Sequence, residues 1–412
     1  MTGSRRRWKP ERRWARGLPA LAILLLSAGS SSAQTYDRLQ ISNQASTNGI
    51  FDPSVEYLPD GSVGWLFYSS VGGGLTPPLW GPEVSSRVAR TTDHGSTWTF
   101  VQDINVSVPG VVMVQGSPVT GVWNTEVTSV TYDPDDPSRE WKLFSHRLFR
   151  TDTPPHTNLV QFGWIVHRWA SDPAGTWSPE VALFGSSFIP DPALFPTQVN
   201  INALDPSLSG ILTYSEPGAF YAGGVLYLSL TGLLASGPDR IVLLASDDHG
   251  TSWRYVGAPV VSDVDMPPLG FLSFTGTSIV AQAGRVFLMG TPESPALEHD
   301  GTLVFEFEDL TTGTLRRQGG RLVVVRRVPP QPALLSVGFG GGQADFHEQN
   351  TAGGILMPQL DVGALPELFK IFETRVSPLD VAPVPALGPL RWIGIGLVLA
   401  VGAVGLRGGS RR

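Results

Sequence analysis

The sequence has no cysteine and few charged residues. Its 412 residues include no Cys, and Asp, Glu, Lys and Arg together make up only 16%. The absence of Cys excludes disulfide bonds, thiol chemistry and metal sites built from thiolates. A helical protein would be richer in Ala, Glu and Lys, whereas 47 Gly and 35 Pro are typical of many short strands joined by turns. The composition therefore predicts an all-β protein.

Both ends of the chain are predicted to be targeting segments. Residues 1–33 combine a basic stretch, the apolar run Leu18–Leu26 and small residues at the predicted cleavage position, which is the pattern of a secretory signal peptide. A short N-terminal anchor is the alternative, although the run is short for a membrane span. Residues 384–412 combine a Pro-containing motif, the apolar run Trp392–Leu406 and a basic end. This order resembles the C-terminal sorting tails of bacterial surface proteins, and a plain membrane anchor fits equally well. We therefore expect an exported protein held at the cell envelope.

Basic residues are scarce between these two ends. Residues 34–383, the predicted body and only domain, contain 18 Lys and Arg against 35 Asp and Glu, which gives a net charge near −17. Binding to phosphate groups requires a basic surface. We therefore expect no nucleic-acid partner. No pattern in the sequence predicts an oligomeric state.

Two stretches of the body share one pattern, with a Ser or Thr, an Asp, a Gly, a second Ser or Thr and a Trp at fixed spacing. These stretches are residues 91–98 and 246–253. In a hairpin turn, the Asp carboxylate can accept backbone N–H groups, the Gly can adopt a positive φ, and the Trp can pack inward from the next strand. The pattern resembles the Asp box of sialidase-type β-propellers, and the residues that carry it are Asp93, Gly95 and Trp98, and Asp248, Gly250 and Trp253.

The spacing of these turns predicts the number of blades. A shortened copy of the pattern lies at Asp172, so the three turns are separated by 79 and 76 residues in a body of 350 residues. One turn per blade favours five blades, closed by Tyr36–Ser42 as the missing strand of blade five, because closure removes exposed sheet edges. Six blades remain possible if residues 104–123 or 185–212 contain a further blade.

Acidic residues open the first strands predicted for blades one to three. Blade one begins with Asp52 before Pro53, blade two contains Glu126 shortly after Asn124, and blade three begins with Glu216. These strands resemble those of the five-bladed arabinanase, invertase and levansucrase type of glycosidase. The resemblance implies that Asp52 is the base or nucleophile and Glu216 the general acid. It also implies that a blade-two residue, Glu126 or Asn124, tunes the acid.

Three functions are compatible with these patterns. A carboxylate-dependent glycoside hydrolase would act on a carbohydrate or glycoconjugate without metal or cofactor. A non-catalytic propeller would bind a carbohydrate or a protein at the surface. A sialidase-like exo-glycosidase would require three Arg around the substrate carboxylate, but the predicted inner strands of blades one to three contain none. The nearby Arg residues are Arg87, Arg147, Arg150, Arg168, Arg240 and Arg285.

Two further groups of residues are candidates for binding. His347, followed by Glu348, opens the predicted inner strand of blade five, where it could line the axis or hold an ion or a water molecule. A platform for stacking a sugar could come from four aromatic residues, although core packing would account for them equally: Trp80, Trp123, Tyr132 and Phe220.

Overall fold

Five successive β-sheets make up the described part of the chain. The computed structural model describes residues 36–45, 47–72, 83–153, 157–185, 196–234, 239–296, 299–332, 341–361 and 367–380. All of them belong to one compact unit, residues 35–380. The predicted targeting segments, residues 1–33 and 384–412, lie outside the described residues and remain predictions.

Blades one to three each have an inner strand followed by its neighbours in chain order. In blade one the order from the inside is β3 (Ile50–Tyr57), β4 (Gly64–Val71), β5 (Val84–Thr91), β6 (Trp98–Asn105) and β2 (Ile41–Ser42). In blade two it is β8 (Ser117–Tyr132), β9 (Trp141–Thr151), β10 (Asn158–Ala170) and β11 (Val181–Gly185), with β7 (Val108–Val114) paired to the first part of β8. In blade three it is β12 (Ile211–Ala222), β13 (Val225–Leu234), β14 (Arg240–Ser246) and β15 (Arg254–Val261).

Blade four repeats this order, and the two ends of the propeller meet in blade five. The main strands of blade four are β16 (Ser273–Gln282), β17 (Arg285–Glu293), β18 (Thr302–Asp309) and β22 (Val324–Val328). The short strand β19 (Thr314–Leu315) also pairs with β18. Between β19 and β22, β20 (Arg317–Gln318) and β21 (Arg321–Leu322) form a small separate hairpin. Blade five contains β23 (Leu356–Leu360), β24 (Phe369–Glu373) and β1 (Asp37–Arg38). The N-terminal strand β1 pairs with β24, so the predicted closure is confirmed for Asp37–Arg38, whereas Ile41–Ser42 pairs with β6 of blade one.

The carboxylate-bearing first strands predicted for blades one to three lie within observed strands, but the inner strand predicted for blade five does not form. Residues 344–350 were expected to be a strand. Instead, Asp345 makes an isolated bridge to Leu356, and a turn follows in which the Asn350 N–H donates to the carbonyl of His347.

The described residues contain five blades and no sixth. Residues 104–123 contain the end of β6 in blade one, followed by β7 and the start of β8, which belong to the sheet of blade two. The described part of residues 185–212 contains two 3₁₀ turns at Ile201–Ala203 and Pro206–Leu208. In the rest of the described residues, helical structure is limited to α1 (Ser262–Asp265) and 3₁₀ turns at Pro267–Leu269 and Leu310–Thr312. None of the helices in the described ranges is long and apolar enough to cross a membrane.

Side-chain oxygens near the propeller axis connect neighbouring blades. Each accepts a backbone N–H from the inner strand of the next blade, at 2.7 to 3.0 Å. The three pairs are Asp345 with Val55, Ser54 with Val130, and Ser129 with Ala219. Because a buried N–H without an acceptor costs free energy, these bonds fix the blades around the axis.

The two turns with the shared Asp pattern have the hydrogen bonds that the pattern predicts. The Asp93 carboxylate accepts the Thr97 N–H at 2.9 Å, and Asp248 accepts the Ser252 N–H at 2.8 Å. The Gly95 φ is 85° and the Gly250 φ is 90°. Trp98 and Trp253 are both buried. The relationship to sialidase-type propellers remains a prediction.

Candidate functional site

The inner strands of blades one to four each contain a β-bulge. In each strand the register with its neighbour shifts near one residue that has a positive φ. A bulge bends the strand and changes the direction of its side chains. The four residues and their φ values are Asp52 at 47°, Val127 at 52°, Glu216 at 53° and Gly276 at 56°. A positive φ is uncommon outside Gly and is a strong outlier for a β-branched residue. Strain of this kind is concentrated at functional sites.

The three carboxylates proposed from the sequence line one cavity of about 420 Å³ at one end of the axis. Asp52, Glu126 and Glu216 come from three successive inner strands, so the propeller brings together residues that are far apart in the chain. Arg150 and His299 also line this cavity. Its volume lies in the range of pockets that hold small ligands, about 300–1,000 Å³.

Asp52 is the most buried of the three carboxyl groups. It is 6% exposed, and its Oδ2 accepts a hydrogen bond from the Ser69 hydroxyl at 3.3 Å. Burial raises the pKa of Asp52 well above its usual value, and the charges of Glu126 and Glu216 raise it further. Because burial penalises the charged form and like charges repel, the cavity favours a proton on this carboxyl.

Glu126 lies one residue before the bulge residue of blade two. Burial raises the pKa of Glu126 to about 7, while Arg150 lowers it and the charge of Glu216 raises it. The position equivalent to Asp52 and Glu216 is occupied by Val127. Blade two therefore departs from its neighbours, because its carboxylate precedes the bulge residue.

Glu216 is fixed by blade four. Its Oε2 accepts hydrogen bonds from the Thr275 hydroxyl and, at 2.9 Å, from the Gly276 N–H. The donors belong to the bulge of the next inner strand. The position of this carboxylate therefore depends on the contact between two blades.

Asn124, the alternative residue in blade two, does not line the cavity. It is 1% exposed, and its Oδ1 accepts the Val84 N–H and the Ser107 hydroxyl, both at 3.0 Å. The amide therefore connects the strands of blades one and two, and the prediction of a role at the site was wrong for this residue.

Arg150 and His299 are two titratable residues of the cavity that sequence reasoning did not assign to the site. Arg150 follows the apolar pair Leu148–Phe149 near the end of β9, and the sequence indicated it only as a sialidase candidate. Burial lowers the pKa of its guanidinium group, whereas Glu126 raises it. His299 lies in the connection before β18, near the carbonyl oxygen of Gly341, and no sequence pattern marks it.

The other five Arg residues considered for a sialidase site do not line the main cavity. Each contacts a protein group elsewhere: Arg87 with Asp103, Arg147 with Glu180, Arg168 with Ser178, Arg240 with Ser207 and Arg285 with Glu306. The described residues therefore contribute one Arg to the cavity.

The aromatic residues proposed as a sugar platform do not meet at this cavity. Tyr132 and Phe220 line the opposite end of the axis. Trp123 packs against Phe149, with ring centroids 5.0 Å apart. Trp80 lies outside the described residues. A different aromatic pair lines the cavity: the rings of Phe51 and Phe369 stack 4.8 Å apart.

His347 lies at the opposite end of the axis, which we call the far mouth. The far mouth is a cavity of about 360 Å³ lined by the C-terminal parts of the inner strands. His347 Nε2 lies 3.1 Å from Glu56 Oε1, and its ring stacks on Tyr57 at 4.9 Å. The His347 side chain therefore connects blade five to blade one.

One group in the described residues has the composition of a metal site. Asp133, Asp136 and His249 place a ligand atom each within 4.8 Å of one another. The Lys142 ammonium group contacts Asp136 and lies 3.9 Å from Asp133. Because a cationic side chain already pairs with both carboxylates, this group acts as an ion-pair network between blades two and three.

Comparisons with known proteins give structural neighbours only. No protein-family model matches the sequence, and no curated protein matches it. The chain is similar to the native arabinanase of Bacillus subtilis, with 13% identity over 79% of this chain and 96% of that one and a TM-score of 0.45. An endo-arabinanase of glycoside hydrolase family 43 from Bacillus licheniformis is 14% identical over 80% of this chain and 94% of that one, with a TM-score of 0.45. An α-L-arabinofuranosidase from Lactobacillus brevis is 11% identical over 79% and 91%, with a TM-score of 0.46. At these identities and TM-scores, the fold rests on the five sheets described above.

Proposed function

We propose that this protein is a glycoside hydrolase that cleaves a carbohydrate or glycoconjugate with axis-lining carboxylates. The observation that supports the proposal is the presence of Asp52, Glu126 and Glu216 in one cavity of ligand size. Glycosidic cleavage requires one carboxyl group that donates a proton to the leaving oxygen and another that acts as base or nucleophile. The arabinan-degrading activity named for the structural neighbours suggests arabinosides as the first substrates to test.

The roles follow the resemblance of the inner strands. Glu216 would be the general acid, with its carboxyl positioned by Thr275 and Gly276. Asp52 would be the base or nucleophile and must lose its proton to act. Glu126, near Arg150, would adjust the charge around the other two. No step in this scheme uses a cofactor.

The pH dependence of the reaction follows from Asp52. Burial and two neighbouring carboxylates raise the pKa of this group. A base must be ionised, so activity is lost as the pH falls through this raised pKa. We therefore expect the acid limb of the pH profile at a higher pH than for an ordinary Asp.

The test uses aryl glycosides with good and poor leaving groups. We expect Glu216→Gln to lower kcat about 10²- to 10⁴-fold for a poor leaving group and much less for a dinitrophenyl group, which departs without protonation. Asp52→Asn should lower kcat for both. Glu348→Gln at the far mouth is the matched control and should retain full activity. Absence of turnover by the wild type would reject the hydrolase, and equal turnover by all four proteins would reject the roles of Asp52 and Glu216. If the two variants exchanged their dependence on the leaving group, the two roles would be exchanged.

A non-catalytic binding propeller is the second candidate. It is favoured by Val127, an apolar residue at the bulge position where blades one and three have a carboxylate. If this alternative holds, purified protein binds arabino-oligosaccharides in calorimetry but leaves them uncleaved. A sialidase-like exo-glycosidase is the third candidate, and the single cavity Arg gives it less support.

The location of the protein is also part of the proposal. Residues 1–33 would direct export, and residues 384–412 would hold the body at the envelope, where it would meet polymeric carbohydrate. Cell fractionation of the full chain and of a chain that ends at residue 383 tests this. Release of only the shorter chain supports a C-terminal tether, whereas equal retention of both contradicts it.

A further inference from the structure

A smaller cavity lies beside the main cavity, between blades two and three. It measures about 160 Å³ and shares Glu126, Val127, Asn158 and Glu216 with the main cavity. Pockets for whole ligands usually measure about 300–1,000 Å³. This side chamber therefore has room for only part of a ligand, and the rest of that ligand would lie against the carboxylates.

His146 forms one wall of the side chamber. It pairs with Glu126 across the antiparallel register of β8 and β9, and the charge of Glu216 acts on its ring. Burial lowers the pKa of His146 to about 4, so the ring is neutral at neutral pH. A neutral imidazole has one donor and one acceptor nitrogen. No hydrogen bond joins the His146 ring to another group in the described part of the chain.

The remaining walls combine hydroxyl and apolar groups. Thr213 and Ser215 lie two residues apart on β12, so both face the chamber from the same side of the strand. Leu148 and Leu233 contribute apolar surface. A few polar groups on an apolar wall suit a neutral ligand that has both C–H and O–H groups.

We propose that the side chamber binds one hydroxyl-bearing substituent of the sugar in the main cavity, and that His146 is the positioning residue that hydrogen-bonds this hydroxyl. The identity of the ligand as a sugar rests on the proposed function. A site built to bond a hydroxyl group rejects an analogue that lacks it, because its own polar groups then remain unpaired. The chamber would thus select among sugars and place the glycosidic oxygen near Glu216.

The first test combines protein variants with monodeoxy analogues of the best aryl-glycoside substrate. We expect His146→Phe to raise KM about tenfold with a smaller change in kcat, since about 1.4 kcal/mol of hydrogen bonding is a factor of ten. One deoxy analogue should show a similar loss with the wild-type protein and no further loss with His146→Phe. His146→Asn, which keeps a donor and an acceptor, should recover part of the affinity. Thr213→Val, which removes one hydroxyl group at constant shape, should have a smaller effect.

His167→Phe is the matched control. His167 is also a buried neutral imidazole, with its pKa lowered by burial to about 3, but it stacks on Phe144 on the neighbouring strand and does not line the chamber. Its replacement should leave KM unchanged. The inference is overturned if His146→Phe leaves KM unchanged, or if it weakens every deoxy analogue as much as the parent substrate.

A second measurement applies if no glycoside is cleaved. The imidazole nitrogens of the wild-type protein are observed by NMR while D-xylose, L-arabinose, D-glucose or D-galactose is added. A shift of the His146 signal with one of these sugars supports the chamber as a binding site even though the proposed reaction fails. In a protein without activity, an unchanged His146 signal with all four sugars overturns the inference.

Discussion

The two ends of the propeller axis both gather buried carboxyl groups, but they use them differently. At the main cavity, Asp52, Glu126 and Glu216 face the same open space. At the far mouth, Asp345 accepts the Val55 N–H at 2.7 Å, and His347 pairs with Glu56. Both cavities are ligand-sized, but the far mouth pairs its carboxylates with a backbone N–H and a His across blades five and one, whereas the main cavity brings three carboxylates together, so that the charges of Glu126 and Glu216 raise the pKa of Asp52.

A perturbed pKa does not by itself distinguish the two ends. Burial raises the pKa of Asp345 to about 7, which is also the value for Glu126. Structural groups and catalytic groups can both have shifted pKa values. The difference lies in the neighbours of the carboxyl group: Asp345 accepts a backbone N–H of the next blade and lies near His347, whereas Asp52 lies beside two further carboxylates, Glu126 and Glu216.

The largest expected effect separates function from stability at the main cavity. Asp52→Asn should lower kcat about 10²- to 10⁴-fold and at the same time raise the free energy of unfolding at pH 8. A carboxyl whose folded pKa is raised stabilises the protein below its unfolded pKa and loses this contribution as the pH rises. At pH 8 the buried charge of Asp52 therefore lowers the free energy of unfolding, whereas the uncharged amide of the variant does not.

Kinetics and urea unfolding at pH 8 measure both effects. Asp345→Asn is the matched control, because it also removes a buried carboxyl of raised pKa but lies at the far mouth. The Asp345→Asn variant should have a higher free energy of unfolding than the wild type at pH 8, and it should retain its activity. A loss of activity equal to that of Asp52→Asn would contradict the distinction between the two ends.

Removal of the acceptor at the far mouth should have the next largest effect. Asp345→Ala leaves the buried Val55 N–H without its acceptor. We expect the free energy of unfolding to fall by about 1–3 kcal/mol, with KM and kcat unchanged in the folded protein. Urea unfolding compared with Asp345→Asn, which keeps an acceptor oxygen, measures this. If both variants unfold at the same urea concentration, the bond to Val55 does not stabilise the closure.

The sequence predicted most of the fold because its strongest signals are local. The Asp, Gly and Trp of each turn, such as Asp248 and Trp253, act within eight residues, so their spacing gave the number of blades. The closure of blade five by the N-terminal segment followed from the need to remove open edges, although only Asp37–Arg38 of residues 36–42 joins that blade. The inner strand of blade five failed as a prediction: Asp345 forms only an isolated bridge to Leu356, and a turn from His347 to Asn350 follows, which the local pattern does not reveal.

The candidate site was predicted less completely because it depends on contacts between blades. Asp52 and Glu216 each precede a Pro in a strand-like run, and that pattern indicated them. Asn124 was also indicated, but its amide bonds to Val84 of blade one, a partner 40 residues away. The register of β9 places Arg150 at the cavity, and the long connection before β18 places His299 there. No short motif predicts either placement.

A smaller effect is expected from the turns near the far mouth. Asp248 accepts hydrogen bonds from the Ser252 N–H and from the hydroxyls of Ser246 and Ser252. Burial opposes ionisation of Asp248, but these hydrogen bonds lower its pKa below the usual value.

Asp248→Ala should lower the free energy of unfolding by about 1 kcal/mol, because a typical hydrogen bond contributes that much. Asp93→Ala, in the equivalent turn, should match it. Thermal unfolding of both variants provides the measurement, and a large loss of activity in either would contradict a purely structural role.

The smallest expected effect depends on pH at the contact between His347 and Glu56. Burial alone would lower the pKa of His347, but the hydrogen bond and charge of Glu56, together with the charges of Asp345 and Glu348, raise it above its usual 6.5. The charged pair therefore stabilises the protein below about pH 6.5 and loses this contribution as the pH rises through the raised pKa.

Glu56→Gln should lower the free energy of unfolding by about 1 kcal/mol or less at pH 5 and have almost no effect at pH 9. Glu348→Gln, which affects His347 through charge alone, should give a smaller difference at pH 5. Urea unfolding of both variants at the two pH values tests this. A Glu56→Gln effect of equal size at pH 5 and pH 9 would show that the contact between blades five and one depends on packing and not on the charge of His347.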